Sequence, residues 1–216
     1  MEQPRDYYYK VIVVGINGVG KTCYIRKLVH DTFNQEYKCT IGVDFSLKTF
    51  NVGDDAIVRL QLYDIAGQEL FGQMTRVYYK ESYAAFVVMD VSQVSEDSLD
   101  TDELDLSLEN AIKWKKDIDR KVYIPGTTEP IPTVLLANKC DLIKEENRER
   151  LEKKLDAFCA EYGFVKYFLT SAQDGTNVNE AARFIVDHIL EIDPQTQAEN
   201  DSLDISGGSK GSGGCC

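Results

Sequence analysis

The segment "GINGVGKT" at residues 15–22 constrains this chain more than any other. It fits the pattern G-x-x-x-x-G-K-[ST], which carries physical meaning only where a strand ends and a helix begins. Both conditions are met. "YYKVIVVG" (8–15) is a short apolar run ending in glycine, which suits a parallel strand buried on both faces. "KTCYIRKLVHDTF" (21–33) follows, with Tyr24, Leu28 and Val29 at helical spacing. In such a loop the backbone N–H groups converge on anionic oxygens, with the positive end of the next helix behind them. The glycines let the chain approach a phosphate without a Cβ in the way. Gly15, Asn17, Gly18, Val19, Gly20, Lys21, Thr22 and Cys23 are therefore candidate phosphate-binding residues. Lys21 is placed to reach β- and γ-phosphates, and the Thr22 hydroxyl to ligate Mg²⁺. A glycine-rich turn that binds nothing is the competing reading, and the strand–loop–helix context disfavours it.

The rest of the chain repeats the alternation. Strand patterns occupy 43–52, 56–64, 84–90, 132–138 and 166–170, and helical patterns lie near 69–81, 108–120, 146–162 and 177–191. "GDD" between the first two strands is a hairpin signal. Alternation of this kind predicts a mostly parallel sheet with helices on both faces, and the hairpin adds one antiparallel edge strand. The expected fold is thus α/β: a P-loop nucleotide-binding fold with six strands and about five flanking helices. The 216 residues suit one domain over 1–192 and a tail over 193–216 that is poor in large apolar residues and rich in Gly, Ser and Asp. An acidic stretch, "SQVSEDSLDTDELDLSLEN" (92–110), interrupts the pattern, and its composition is that of a solvated loop, with a partner site as the sharper alternative.

Charge and cysteine content exclude several classes. A net charge of −12 leaves no basic face for nucleic acid and no simple electrostatic attachment to anionic lipid. The six cysteines form no CxxC pair, and His30 and His188 are isolated, so neither a disulfide framework nor a cysteine–histidine metal site is expected. The first residues lack a signal-peptide core, and no apolar run approaches the ~18–20 residues that span a bilayer. A cytosolic protein with reduced thiols is the expectation.

Which nucleotide binds is set by "NKCD" (138–141), at the end of a predicted strand. The Asp141 carboxylate can accept from the N1–H and 2-amino group of guanine, whereas adenine lacks that amino group and presents an acceptor at N1. Leaving such a site unpaired discriminates by ~10⁴–10⁵. "TSA" (170–172) follows the next strand and offers a backbone N–H to the guanine O6, which adds Asn138, Lys139, Ser171 and Ala172 to the candidate site. "LYDIAGQE" (62–69) places Asp64 at a strand end to hold Mg²⁺ through water, the Gly67 amide toward a γ-phosphate, and Gln68 to orient an attacking water. Lys21, Gly67 and Gln68 are the catalytic candidates. Thr40, in "KCTIGVDF" (38–45), is a second hydroxyl ligand for Mg²⁺.

These five elements, "GINGVGKT", "TIGVDF", "DIAGQE", "NKCD" and "TSA", stand in the order of the Ras-like small GTPases, and the resemblance covers about residues 8–191. "TIGVDF", "LYDIAGQELF" and the final "CC" resemble the Rab branch. "DIAGQE" with isoleucine, "FGQMTRVYYKES", "GVDFSLK" and "VLLANKCD" resemble its Rab thirty-two/thirty-eight subfamily. The resemblance implies a GTP/GDP switch that hydrolyses GTP and recruits effectors to an intracellular membrane in vesicle or organelle trafficking. The alternative is a nucleotide-locked effector-binding module with little hydrolysis. It further implies that Phe33 packs on guanine, that Tyr37 covers the phosphates, and that Ile41, Phe45, Tyr63 and Tyr78 face effectors. The implied partners are a guanine-nucleotide exchange factor, a GTPase-activating protein, a GDP dissociation inhibitor and a Rab escort protein. A monomer is implied, lipidated by geranylgeranyl groups on Cys215 and Cys216, on the cytoplasmic face of an endosomal, phagosomal or lysosome-related membrane, with a soluble cytosolic pool. Two lipid chains give stable anchoring where one is marginal.

Three positions depart from that pattern. Asn17 stands where Ras has glycine and many Rabs have serine, with its side chain toward the γ-phosphate region; either it lowers hydrolysis or hinders an incoming arginine, or it is a tolerated polar substitution. Tyr63 replaces the usual Rab tryptophan. The acidic stretch exceeds the Rab pattern by roughly ten residues. No arginine is placed to act in cis, so slow unaided hydrolysis is expected.

Overall fold

The computed structural model describes residues 4–34, 39–53, 56–71, 75–193 and 196. Six strands form one sheet in the order β2-β3-β1-β4-β5-β6. They are β1 (Arg5–Val14), β2 (Val43–Val52), β3 (Ala56–Ile65), β4 (Ala84–Asp90), β5 (Thr133–Asn138) and β6 (Lys166–Thr170). Only β2 runs antiparallel, against β3; the other pairings are parallel. Five helices flank the sheet: α1 (Lys21–His30), α2 (Thr75–Tyr79), α3 (Leu106–Lys121), α4 (Glu145–Tyr162) and α5 (Val178–Ile192).

The continuous apolar runs of the central strands follow from burial on both faces. Along β1, Ile12 and Val14 join a core with Met89, Trp114, Ile118 and Leu135, while Val11 and Val13 point into a second core with Tyr24, Phe86, Leu136 and Ile185. Strand alternation thus feeds two hydrophobic layers, one carrying α3 and α4 and the other α1 and α5. Each fully buried large apolar side chain contributes about 1.5–3 kcal/mol.

Strand β1 begins at Arg5, three positions before the apolar pattern does. Its first residues are polar or aromatic, and what makes them a strand is pairing with β3, in the register Arg5↔Ala56 through Val13↔Asp64. The helix expected near 69–81 is instead a 3₁₀ turn over Gly67–Phe71 and the short α2. Helix α1 stops at His30 because Asp31 adopts the left-handed conformation, φ 53°.

The acidic stretch is held down rather than merely solvated. Ser98 and Leu99 are buried. Lys144 pairs with Glu96 at 2.8 Å, and Arg150 Nε donates to both Asp100 oxygens at 3.0 and 2.9 Å. Lys154 Nζ donates to the carbonyls of Ser98, Thr101 and Glu103 at 2.8, 2.9 and 2.7 Å. Single exposed ion pairs stabilise little. Three basic side chains of one segment converging on one loop, one of them taking three backbone carbonyls, give it a fixed path.

The start of the segment expected as tail is also tied in. Asp193 is buried and accepts the Tyr9 hydroxyl at 2.7 Å, and the Thr196 hydroxyl donates to the carbonyls of Leu190 and Asp193. Burial, and then this hydrogen bond, push the Tyr9 phenol well above its ordinary range. Tyr9→Phe removes a buried bond to a carboxylate and is expected to destabilise the fold by about 1.5–3 kcal/mol, read as a lower urea midpoint at unchanged slope.

Candidate functional site

Strand β1 delivers the chain into the 15–20 loop, and α1 begins at Lys21. Gly20 caps that helix at φ 98°, and a Cβ there would overlap the side-chain amide of Asn138. The close approach has a purpose. Asn138 is 1 % exposed; its Nδ2 donates to the Val19 carbonyl at 2.8 Å, and its Oδ1 accepts from the Ala172 N–H at 3.2 Å and the Thr170 hydroxyl at 3.3 Å. One buried amide thereby joins the phosphate loop, the 138–142 segment and the 170–172 segment. Lys21 is nearly as buried, with Nζ on the carbonyls of Gly15 and Ile16 at 2.9 and 3.0 Å. Burial pulls its ammonium down to about 8, partly countered by the negative charge of Asp64 and then by Cys39. A buried cation held by two carbonyls of the loop favours an anion beside it.

Thr22, Thr40 and Asp64 come from α1, the segment before β2, and the end of β3, and their oxygens meet. The Thr22 hydroxyl donates to Asp64 Oδ2, the two threonine hydroxyls are 2.9 Å apart, and Thr40 reaches the same carboxylate oxygen at 3.3 Å. The other carboxylate oxygen, Oδ1, is buried without a hydrogen-bond partner. Burial raises the Asp64 carboxyl above the usual carboxylate range, against the lowering effect of Thr22, Lys21 and Thr40. An all-oxygen set with an orphaned carboxylate oxygen fits a hard cation such as Mg²⁺.

A cavity of about 300 Å³ runs from this cluster to the 138–142 segment. It lies at the C-terminal ends of the strands, where open α/β sheets bind ligands. Asn17, Gly18, Gly20, Lys21, Thr22, Cys23, Phe33, Thr40, Gly67, Asn138, Lys139, Asp141 and Ala172 line it, all of them expected from the sequence. Gly15, Val19 and Ser171 are buried behind it. Gly15 and Val19 supply the carbonyls just described, and the Ser171 hydroxyl accepts from the amides of Gln173 and Asp174. Arg26, Asn34, Leu142 and Gln173 also line the cavity and were missed, because no motif contains them. Arg26 was the most legible: it stands four residues after Thr22, on the same face of α1. Tyr37, Cys215 and Cys216 lie outside the described residues.

Gly67 rests on the phosphate loop. A Cβ there would come within 2.5 Å of the Asn17 backbone nitrogen and 2.6 Å of Asn17 Oδ1. Gln68 is exposed and does not line the cavity. Phe45 and Tyr63 are cross-strand partners in contact, edge to face at 5.4 Å, and Lys10 Nζ lies 4.4 Å from the Tyr63 ring centre. Tyr63 and Tyr78, both half-buried, pack against the same core. Ile41 is 93 % exposed and Phe45 53 %. Among the described residues, no helix is long and apolar enough to cross a membrane.

A family model described as "Ras family" matches residues 10–191. The chain is 50 % identical to human Ras-related protein Rab-32 over 188 residues, covering 87 % of this chain and 77 % of that protein. It is 48 % identical to Rab-32A of Dictyostelium discoideum over 189 residues, 88 % of this chain and 81 % of the relative. Human Rab-7L1 is 40 % identical over 187 residues, 86 % and 84 % of the two chains.

Proposed function

The chain belongs to the Ras family and to its Rab branch, and on that premise we propose how its residues carry out the switch. It is a small GTPase: it binds guanine nucleotide, hydrolyses GTP to GDP and phosphate, and works with regulators and effectors. The nucleotide-locked module is the less favoured reading. The observation that carries the mechanism is that Lys21, the Thr22–Thr40–Asp64 cluster and Asp141 line or adjoin one cavity, with Lys21 and the oxygen cluster toward one end and Asp141 in the 138–142 segment toward the other.

The phosphate-loop amides and Lys21 bind the β- and γ-phosphates. Thr22, Thr40 and Asp64 would hold Mg²⁺, which would offset the negative charge of the terminal phosphate. Asp141 accepts from the guanine N1–H and 2-amino group, with Phe33, Lys139 and Leu142 as walls of the base slot. The Gly67 N–H meets the γ-phosphate, and Gln68 orients the attacking water. Gly67 and Thr40 let go when that phosphate is lost, so the two loops report the nucleotide. Ile41, Phe45, Tyr63 and Tyr78 form the surface that effectors read.

The particular partners we assign are an exchange factor, an activating protein, a GDP dissociation inhibitor and a Rab escort protein. The vicinal thiols Cys215 and Cys216, behind a glycine- and serine-rich segment with a reach of ~25 Å, suit two geranylgeranyl groups. The setting is the cytoplasmic face of an endosomal, phagosomal or lysosome-related membrane.

Acid extraction of the purified protein should release GDP or GTP, and GTP turnover should require Mg²⁺; recovered adenine nucleotide overturns the base assignment. Asn17 Oδ1 lies beside Gly67, close enough that a Cβ there would meet it at 2.6 Å, where the hydrolytic loop must settle. Asn17→Gly is expected to raise single-turnover hydrolysis roughly tenfold, ~1.4 kcal/mol in barrier, and an unchanged rate rejects the role of Asn17. Cys216→Ser should move most of the cellular protein from the membrane pellet to the supernatant, and full retention in the pellet rejects dual lipidation.

A further inference from the structure

Lys139 is the residue of the base-binding segment with the most freedom to move, because four rotatable bonds carry its charge. It lines the nucleotide cavity from a left-handed backbone position, φ 66°, and its side chain is 34 % exposed. Asp90 Oδ2 holds its ammonium, at 2.6 Å. Asp90 is itself fixed. It ends β4 opposite Asn138, is 7 % exposed, and its Oδ1 accepts the Ser92 N–H at 3.0 Å and the Ser92 hydroxyl at 2.7 Å. Its backbone carbonyl accepts the Ser107 hydroxyl at 3.0 Å, so the start of α3 braces the same point. Asp90 does not line the cavity.

We infer that Asp90 is a positioning residue for nucleotide retention: by anchoring the Lys139 ammonium, it fixes one wall of the guanine slot and slows nucleotide release. The inference rests on the guanine-nucleotide reading of the cavity. The carboxylate cannot turn away from Lys139, since Ser92 occupies its second oxygen with two hydrogen bonds. A charge-assisted bond of this kind holds more strongly than a neutral one. Without it the lysine gains rotamer freedom that must be lost again each time a base enters. The same anchor sits at the root of the acidic stretch, because Ser92 opens it and Ser107 lies near its end, in the first turn of α3. A movement of that stretch would therefore reach the base-binding segment through Asp90, without passing through the phosphate loop.

The test is a double-mutant cycle on release of a fluorescent GDP from the full chain in Mg²⁺. Retention of that nucleotide by the unmutated protein first establishes the guanine site; if it does not bind, that reading and this inference fall together. Asp90→Asn is expected to speed release about tenfold, the size of losing one charge-assisted bond, and to add no further acceleration in a Lys139→Met background. Single-turnover hydrolysis of preloaded GTP by Asp90→Asn should change less than twofold, and Asp90→Glu, which keeps the charge, should restore slow release. Ser92→Ala is the milder variant should Asp90→Asn fail to fold, with a smaller acceleration that Lys139→Met again abolishes. Unchanged release, or equal acceleration with and without Lys139, overturns the inference and leaves the guanine site intact.

Discussion

The side-chain amide of Asn138 touches three loops that are distant in sequence, and the site is arranged around it. Its donor and acceptor sides are both in use, on Val19 and on Thr170 with Ala172. A buried amide left half-satisfied costs about 1–3 kcal/mol, so the three segments hold their positions together. Gly20 is part of the same constraint, since any side chain there would enter the space of that amide. The phosphate end and the base end of the cavity are thus set at a fixed separation before any nucleotide enters.

Around that pin the groups differ in how firmly they are held. Lys21 and Asp64 are buried, and the ionised form of each is disfavoured by burial. Each charge partly offsets the other, and one Asp64 oxygen is buried without a hydrogen-bond partner. Gln68, Ile41 and Phe45 are by contrast exposed, though Phe45 is paired in β2 and packs against Tyr63. A nucleotide-dependent switch requires that division between a buried floor and an exposed reporting surface, because the loops must be able to leave while the pocket stays.

The acidic stretch shows why composition misleads. Its charge density reads as a solvated loop, yet Lys144, Arg150 and Lys154 fix its path. Those basic residues lie about fifty positions away and read, on their own, as the exposed face of a helix. Opposite charges that meet only after the chain folds leave no local signal. The early start of β1 has the same origin: Arg5 to Tyr7 are strand because β3 pairs with them, not because of their own pattern. Arg26, Asn34, Leu142 and Gln173 were illegible as site residues for a related reason, since a motif records what touches the ligand through a fixed backbone and not the side chains that happen to close the cavity.

From the sequence alone came the order of strands and helices, the doubly buried sheet, the nucleotide class and nearly every residue that lines the cavity. Those are short-range properties: periodicity, glycine spacing, and functional groups carried within a few positions of one another. The tertiary structure decided which groups the motif residues face. It turned Asn138 inward as a brace and set Asp90 against Lys139. It closed Asp193 onto Tyr9 and laid Gly67 on Asn17. Each of those pairs spans dozens of residues or more, and only the packing of two hydrophobic layers on one sheet brings them within a few ångströms.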